Sequence, residues 1–441
     1  MTASTQSMLI NIGPSHPAMH GVIRLITELE GETVVKVEAE IGYLHRAFEK
    51  SCENSSWTQA IPYTDRLNYV SPLINNFGYC AAVEKLLGIN ITERCQYIRV
   101  IMSEVSRITD HLTCIAASAM ELGAMTAFLY LMKAREYLYD IVEEVTGARL
   151  TISYGRIGGV KGDFPSGMDE RLRAALVKTE KEISEVDKLL TRNRIFVDRT
   201  RDVGILSKED AISYSITGPM GRASGINYDV RKAFPYFAYD RIDFDVPLGE
   251  RGDTYDRYLV RMEEMRQSIR IIRKALDDIP GGPINVDANG KPMESFDIVD
   301  EAKMGRTDGF TKIISTVEPT LEGTERPFHN RIMTDDKNVA LPSKEDTYGN
   351  IEGLMNHFKL IMNYHGICPP QGDSYSAVEG ANGELGFYVA SDGKDRPYRV
   401  RVRPPCFFAM AGLHKMLEGG MVADIVATFG SINMIAGELD R

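Results

Sequence analysis

The sequence lacks the paired cysteines that usually hold metals. Its six cysteines, Cys52, Cys80, Cys95, Cys114, Cys368 and Cys406, are scattered, with no C-x-x-C among them. That spacing suits a reducing compartment and argues against a structural zinc or an iron–sulfur cluster bound by this chain alone. Positive charge is also in deficit. With 51 Lys and Arg against 62 Asp and Glu, the formal net charge is −11. No basic field exists to attract phosphates, which argues against nucleic acid as the main partner. The opening "MTASTQSMLINIG" has no basic start followed by an apolar core, so no signal peptide is expected. There is no internal repeat, no low-complexity tract and no G-x-S-x-G elbow for a serine hydrolase. The four glycines of "YGRIGGVKGDFP" fit neither G-x-G-x-x-G nor G-x-x-x-x-G-K-S/T, and they read as turn formers.

Long apolar runs are scarce too. "LTCIAASAMELGAMTAFLYLM", residues 112–132, carries one charge, Glu121, near its middle. An acid at mid-bilayer costs roughly 2.5–3.5 kcal/mol, and no second span exists to shelter it. The expectation is a helix buried in a protein core, which leaves a carboxyl group there to be explained.

What is present is an ordinary soluble composition, 43% hydrophobic and 26% charged, over 441 residues. A chain of that length is expected to form two or three lobes. Residues 21–41 read as a hairpin around "EGE". Residues 90–147 read as a long helical segment, with Asn90 and Glu93 as a capping box, apolar residues at Ile98, Ile101, Met102, Val105, Ile108, Leu112 and Ile115, a break or kink at Gly123 and a stop at Gly147. Further helices are expected over 168–192, 256–278, 350–363 and 409–428. A second hairpin is expected in "GELGFYVASDGKDRPYRVRVRPP", turning at "SDGKD". The fold class is α+β: a central bundle of long helices with β-containing lobes at both ends. The divisions are 1–55, an N-terminal hairpin region; 56–280, a helical core; 281–345, a turn-rich surface excursion; and 346–441, a C-terminal helix and hairpin region.

Only eight histidines occur, and two of them, His16 and His20, share the short stretch "NIGPSHPAMHGVIRL". Pro14, Pro17, Gly13 and Gly21 forbid an ordinary helix there, which removes the helical His-x-x-x-His geometry that zinc favours. Two readings stay open: imidazoles satisfying loop backbone, or a site residue on a rigid loop. In "IPYTDRLNYVSPLINN", Tyr63 and Tyr69 read as core aromatics. In "GYLHRAFEK", His45, Arg46, Glu49 and Lys50 read as a solvated face.

Taken together, "GPSHPAMHG", "GYLHRAFEK", "PYTDRLNYVS", "ELGAMT", "TGPMGRASG", "FDVPLGERGDTYDRYLVRMEEMRQS", "GELGFYVASDG", "PYRVRVRPP" and the terminal "GELDR" resemble the large quinone-site (D-type, or 49-kilodalton-type) subunits of respiratory complex I. The string from Phe244 to Ser268 is the most specific match. That family is related to the large subunit of nickel–iron hydrogenases, so the resemblance implies a hydrogenase-like fold. Nickel–iron chemistry needs two C-x-x-C pairs. Here those positions read "LHRAFEK" and "GELDR", and the four thiolates are missing.

The resemblance also implies roles. His20 and Tyr69 flank a quinone headgroup, and the loop bearing His20 is supported by His16 and Gly21. Reduction of a quinone takes two electrons and two protons at oxygens on opposite sides of a ring. An imidazole (about pKa 6.5) and a phenol (about 10) can each hydrogen-bond a carbonyl and pass a proton. A carboxylate before "GAMT" partners the histidine in relatives, and here it is Glu121 in place of the usual Asp. Electrons are implied to arrive from a tetranuclear [4Fe-4S] cluster in the neighbouring B-type subunit, with Arg46 near it. Thr151 stands where relatives carry a histidine close to that cluster. This implies a cluster of lower potential with weak pH dependence, and slightly favours menaquinone over ubiquinone. The smaller departures, Asn68 and Ala47, put little in doubt. The implied partners are the B-, C- and I-type subunits of complex I and its membrane-embedded H-type subunit. The implied location is peripheral, on the cytoplasmic face of the bacterial cell membrane. The competing readings are an equivalent subunit of a ferredoxin-using membrane complex and a non-catalytic scaffold.

Overall fold

The computed structural model of the chain describes residues 7–286, 344–361 and 367–441, with strand residues Pro292–Met293, Phe296–Asp297 and Asn330–Arg331. The excursion expected over 281–345 therefore lies largely outside the described residues.

The first sheet is antiparallel, in the order β1 (Ser7–Ile12), β2 (Arg24–Glu30) and β3 (Thr33–Glu40). The β2–β3 pair is the hairpin expected from "EGE", and β1 is a third strand that the sequence pattern did not reveal. Helix α1 (Phe48–Asn54) leads to α2 (Pro72–Leu87) and then to the central helix α3 (Glu93–Glu121). The N-cap of α3 is Thr92, whose hydroxyl accepts from Cys95 N–H at 3.3 Å, so the capping role falls on Thr92 rather than on Asn90. From Tyr97 to Leu112 every residue of α3 is buried, polar ones included, because other elements cover it on all sides.

Gly123 (φ +88) interrupts the expected long helix, and α4 (Met125–Thr146) folds back on α3 before ending at Gly147 (φ +87). Residues 112–132 are therefore not one buried helix. They span a helix end, a turn and a helix start, with Met120, Met125 and Leu129 exposed. Among the described residues no helix is long and apolar enough to cross a membrane. Helices α5 (Met168–Leu190) and α6 (Thr254–Asp278) match their expected ranges and complete the bundle. A further helix covers Ile351–Ile361.

The second sheet is antiparallel, β4 (Gly372–Gly380), β5 (Gly383–Ser391) and β6 (Arg399–Arg403), and shares a core with α1, α2 and the segment between them through Phe48, Trp57, Tyr79, Val378, Phe387 and Val400. Strand β4 was not anticipated. The helix expected over 409–428 is instead three short helices, α7 (Pro405–Ala411), α8 (Leu413–Leu417) and α9 (Val422–Ile432), because Gly412 and the Gly419–Gly420 pair break the run. A last turn, α10 (Ala436–Leu439), precedes Arg441.

The N-terminal sheet and the C-terminal helices share one core, with Leu25, Val34 and Val37 against Leu413, Ile425 and Phe429. Backbone bonds reinforce it: Val34 N–H donates to Gly420 O at 2.9 Å and Val422 N–H to Glu32 O at 2.9 Å. The two ends of the chain thus build one lobe together. At the centre, α3, α6 and β4 meet in a buried ionic cluster. Arg231 bonds Glu104 at 3.0 Å and Asp229 at 2.6 Å, while Arg222 bonds Glu264 and Glu379, each at 2.8 Å. Guanidiniums buried to this depth require such partners.

Candidate functional site

The loop carrying the two histidines is stiff for local reasons. Gly13 takes φ +88, and a Cβ there would strike the Ile23 carbonyl oxygen. His16 caps a single 3₁₀ turn, Pro17–Met19, by accepting the Ala18 N–H on Nδ1 at 3.2 Å. Ala18 and Met19 plug into the core, and His20 ends the turn in the left-handed region at φ +56, followed by Gly21 at +77. The anchored turn leaves the His20 side chain 42% exposed while fixing where it stands.

Its imidazole Nε2 lies 3.5 Å from Glu121 Oε1 at the end of α3. The ring meets Phe429 of α9 edge-on, with centroids 6.1 Å apart. Glu121 is 12% exposed, and its second oxygen, Oε2, has no hydrogen-bond partner among the described residues. Gly430 closes over that oxygen: a Cβ at Gly430 would stand 2.5 Å from Oε2.

Tyr69 and Tyr63 are not core aromatics. They are 38% and 40% exposed. Partial burial pushes the Tyr69 phenol above its ordinary value, with Cys406 and Asp110 acting in the same direction and Arg46 opposing them. Nor is "GYLHRAFEK" simply a solvated face. Arg46 donates to Arg66 O at 2.5 Å and reaches Gly437 O at 3.4 Å, and His45 Nδ1 lies 2.6 Å from Asp440 O. Glu49 receives Arg401 at 2.7 Å. Thr151 sits at φ +51 in a turn governed by Asp65, whose Oδ2 accepts both Ser153 N–H (2.7 Å) and Ser153 Oγ–H (2.5 Å).

One element runs past most of these residues. Along α9 and the tail, Phe429 touches His20, Gly430 abuts Glu121, Asn433 donates to Asp110 Oδ1 at 2.7 Å, and Gly437 meets Arg46. Reasoning from the sequence missed Asp110, Asn433 and Glu438. Asp110 could have been found as a carboxylate set among the apolar positions Ile108 and Leu112. Glu438 accepts the Cys406 N–H at 3.0 Å, and burial raises its carboxyl to about 7. An imidazole paired with a carboxylate, and separately a half-exposed phenol, can each donate a hydrogen bond and a proton to an oxygen gaining electrons.

Among the described residues no group of three or more His, Cys, Asp or Glu side chains is arranged to hold a metal ion. Residues 121–441 match the sequence pattern of the family described as "Respiratory-chain NADH dehydrogenase, 49 Kd subunit". The chain is 51% identical over 437 residues to the D subunit of the NADH-quinone oxidoreductase of Myxococcus xanthus, covering 99% of this chain and 93% of that one. It is 47% identical over 438 residues to the corresponding D 1 subunit of Sorangium cellulosum, covering 99% and 96%. A Bdellovibrio bacteriovorus protein, named as the C/D subunit of NADH-quinone oxidoreductase, is 47% identical over 432 residues, covering 98% of this chain and 68% of that one. With a pattern match over most of its length and relatives this similar from end to end, the chain belongs to the 49-kilodalton subunit family of the respiratory-chain NADH dehydrogenase.

Proposed function

We propose that this chain is the quinone-reducing subunit of a proton-translocating NADH–quinone oxidoreductase, with His20 and Tyr69 as proton donors to the two quinone oxygens and Glu121 as the partner of His20. The observation that carries this reading is the His20–Glu121 pair at 3.5 Å. It sits on an anchored turn that leaves the His20 side chain partly exposed. The carboxylate orients the imidazole and compensates its charge while protonated. As the quinone gains electrons, His20 and Tyr69 each pass a proton to an oxygen, and both are then reprotonated from solvent.

In this reading the electrons come from the [4Fe-4S] cluster that a B-type partner holds beside Arg46, and the quinone is menaquinone. The chain docks with the B-, C- and I-type partners and the membrane-embedded H-type partner on the cytoplasmic face of the membrane. The C/D relative, which carries both names on one chain, supports contact with a C-type partner. The hydrogenase-like ancestry belongs to the same proposal.

The test uses the purified native complex, with NADH and ferredoxin compared as donors. His20→Ala and Tyr69→Phe should each lower NADH-driven quinone reduction by roughly a hundredfold, and Glu121→Gln by about tenfold. NADH oxidation with a soluble artificial acceptor should stay unchanged. Wild-type quinone turnover in the histidine and tyrosine variants would overturn the proposal.

A further inference from the structure

Asp110 is fully buried in the middle of α3, and among the described residues no cation is hydrogen-bonded to it. It is held by neutral donors alone. Oδ2 accepts Asn68 Nδ2–H at 2.8 Å and Ser71 Oγ–H at 2.7 Å, and Oδ1 accepts Asn433 Nδ2–H at 2.7 Å. A carboxylate out of water is retained only when such bonds replace its hydration.

The two oxygens reach different parts of the site. Asn68 and Ser71 bracket Tyr69, and Asn68 Oδ1 also accepts the N–H groups of Val70 (3.2 Å) and Ser71 (3.3 Å). One amide therefore closes the tyrosine turn and ties it to α3. Asn433 caps α9 at φ +59, directly after the stretch that sets Phe429 against His20 and Gly430 against Glu121. It also donates to Asn382 Oδ1 at 2.5 Å, which fixes its amide from the other side.

We propose that Asp110 is a positioning residue of the quinone site: a single carboxylate that clips the Tyr69 loop to the helix bearing the contacts of His20 and Glu121, and so sets the separation of the two proton donors. The inference rests on the quinone-site reading above. Only an acceptor at both ends fits this place. An amide would turn an N–H toward a donor on one side and leave that clip open.

Asp110→Asn in the native complex should raise the quinone KM about tenfold with kcat changed less than threefold, and should leave NADH oxidation by a soluble artificial acceptor intact. In a Tyr69→Phe background the same change should add little, because the clip acts through that tyrosine. The exchange Asn68→Asp with Asp110→Asn rebuilds an amide–carboxylate pair in the opposite sense, and should return KM to near the wild-type value. An unchanged KM in Asp110→Asn, or full additivity with Tyr69→Phe, overturns the proposal. If Asp110→Asn does not assemble, the exchanged pair carries the test: near-wild-type KM supports the clip, and a tenfold rise refutes it. Intact quinone reduction in His20→Ala and Tyr69→Phe would sink the quinone-site reading itself. Impaired reduction there with a silent Asp110→Asn sinks only the clip.

Discussion

Thr151 holds a left-handed backbone at φ +51, where a β-branched residue is strained, and Ser153 follows at +46. Conformations of this kind persist when the surroundings over-determine them. Here Asp65 does so by taking the backbone and hydroxyl of Ser153 and the Asn76 amide. The strained position thus carries a side chain with no proton to exchange near neutral pH. On the proposed reading, the cluster of the adjacent B-type partner titrates with little pH dependence. Redox titration of the native complex should give a slope well below about 59 mV per pH unit, and Thr151→His should steepen it. A full slope in the wild type would refute this.

At the scale of elements, α9 matters through its seating on α3. Ser118 Oγ–H donates to Gly430 O at 2.8 Å, which brings the two helices close enough that only a glycine leaves room for the Glu121 carboxylate. In Gly430→Ala the nearest obstacle is the end of a flexible side chain, with Ser118 Oγ next at 3.4 Å. The carboxylate can swing away, so stability should fall by no more than about 1 kcal/mol. Swinging away separates it from His20. Quinone reduction should therefore drop about tenfold while the melting temperature of the complex barely moves, and a large thermal loss with normal turnover would contradict this seating. The helix α3 was visible from its apolar repeat, as were α5 and α6. The breaks within 405–432 were less so, because Gly412 and Gly419 interrupt a pattern that is otherwise apolar enough to continue.

Over the whole molecule, buried carboxyls respond to pH in opposite senses. Burial raises Glu438 to about 7 and Asp65 to about 6, the latter against its bonds from Ser153. Burial would also raise Glu104 and Glu264, but the arginines around them win. Arg107 and Arg231 hold Glu104 at about 2, and Arg222 does the same for Glu264. A raised carboxyl binds its proton more tightly folded than unfolded. Its contribution is complete below about pH 4.5 and is lost as pH climbs through about 7, roughly 3 kcal/mol for Glu438. The lowered pair acts in reverse, and its contribution disappears only as pH falls toward 2. Thermal inactivation of the complex should thus quicken between pH 5 and 8, and Glu438→Gln, neutral throughout, should be the more stable form above pH 7. Equal inactivation of the two at pH 8 would refute this.

Local order lay within reach of the sequence because it depends on neighbours a few residues apart. Prolines and glycines around His16 and His20 dictate a stiff turn, the repeat from Ile98 to Ile115 dictates a helix, and "EGE" dictates a hairpin. Motif strings pointed to the family as well, and to His20, Tyr69 and Glu121 as residues worth watching. Only the folded chain brought Asn433 to Asp110 across 323 positions and Gly437 to Arg46 across 391. It also exposed Tyr69 when an aromatic in that setting favours burial, and it made one core from the two ends of the chain. These outcomes depend on which surfaces cover which, and on where a buried carboxylate finds its donors. No spacing along the chain encodes either, because both are fixed by packing between segments distant in sequence.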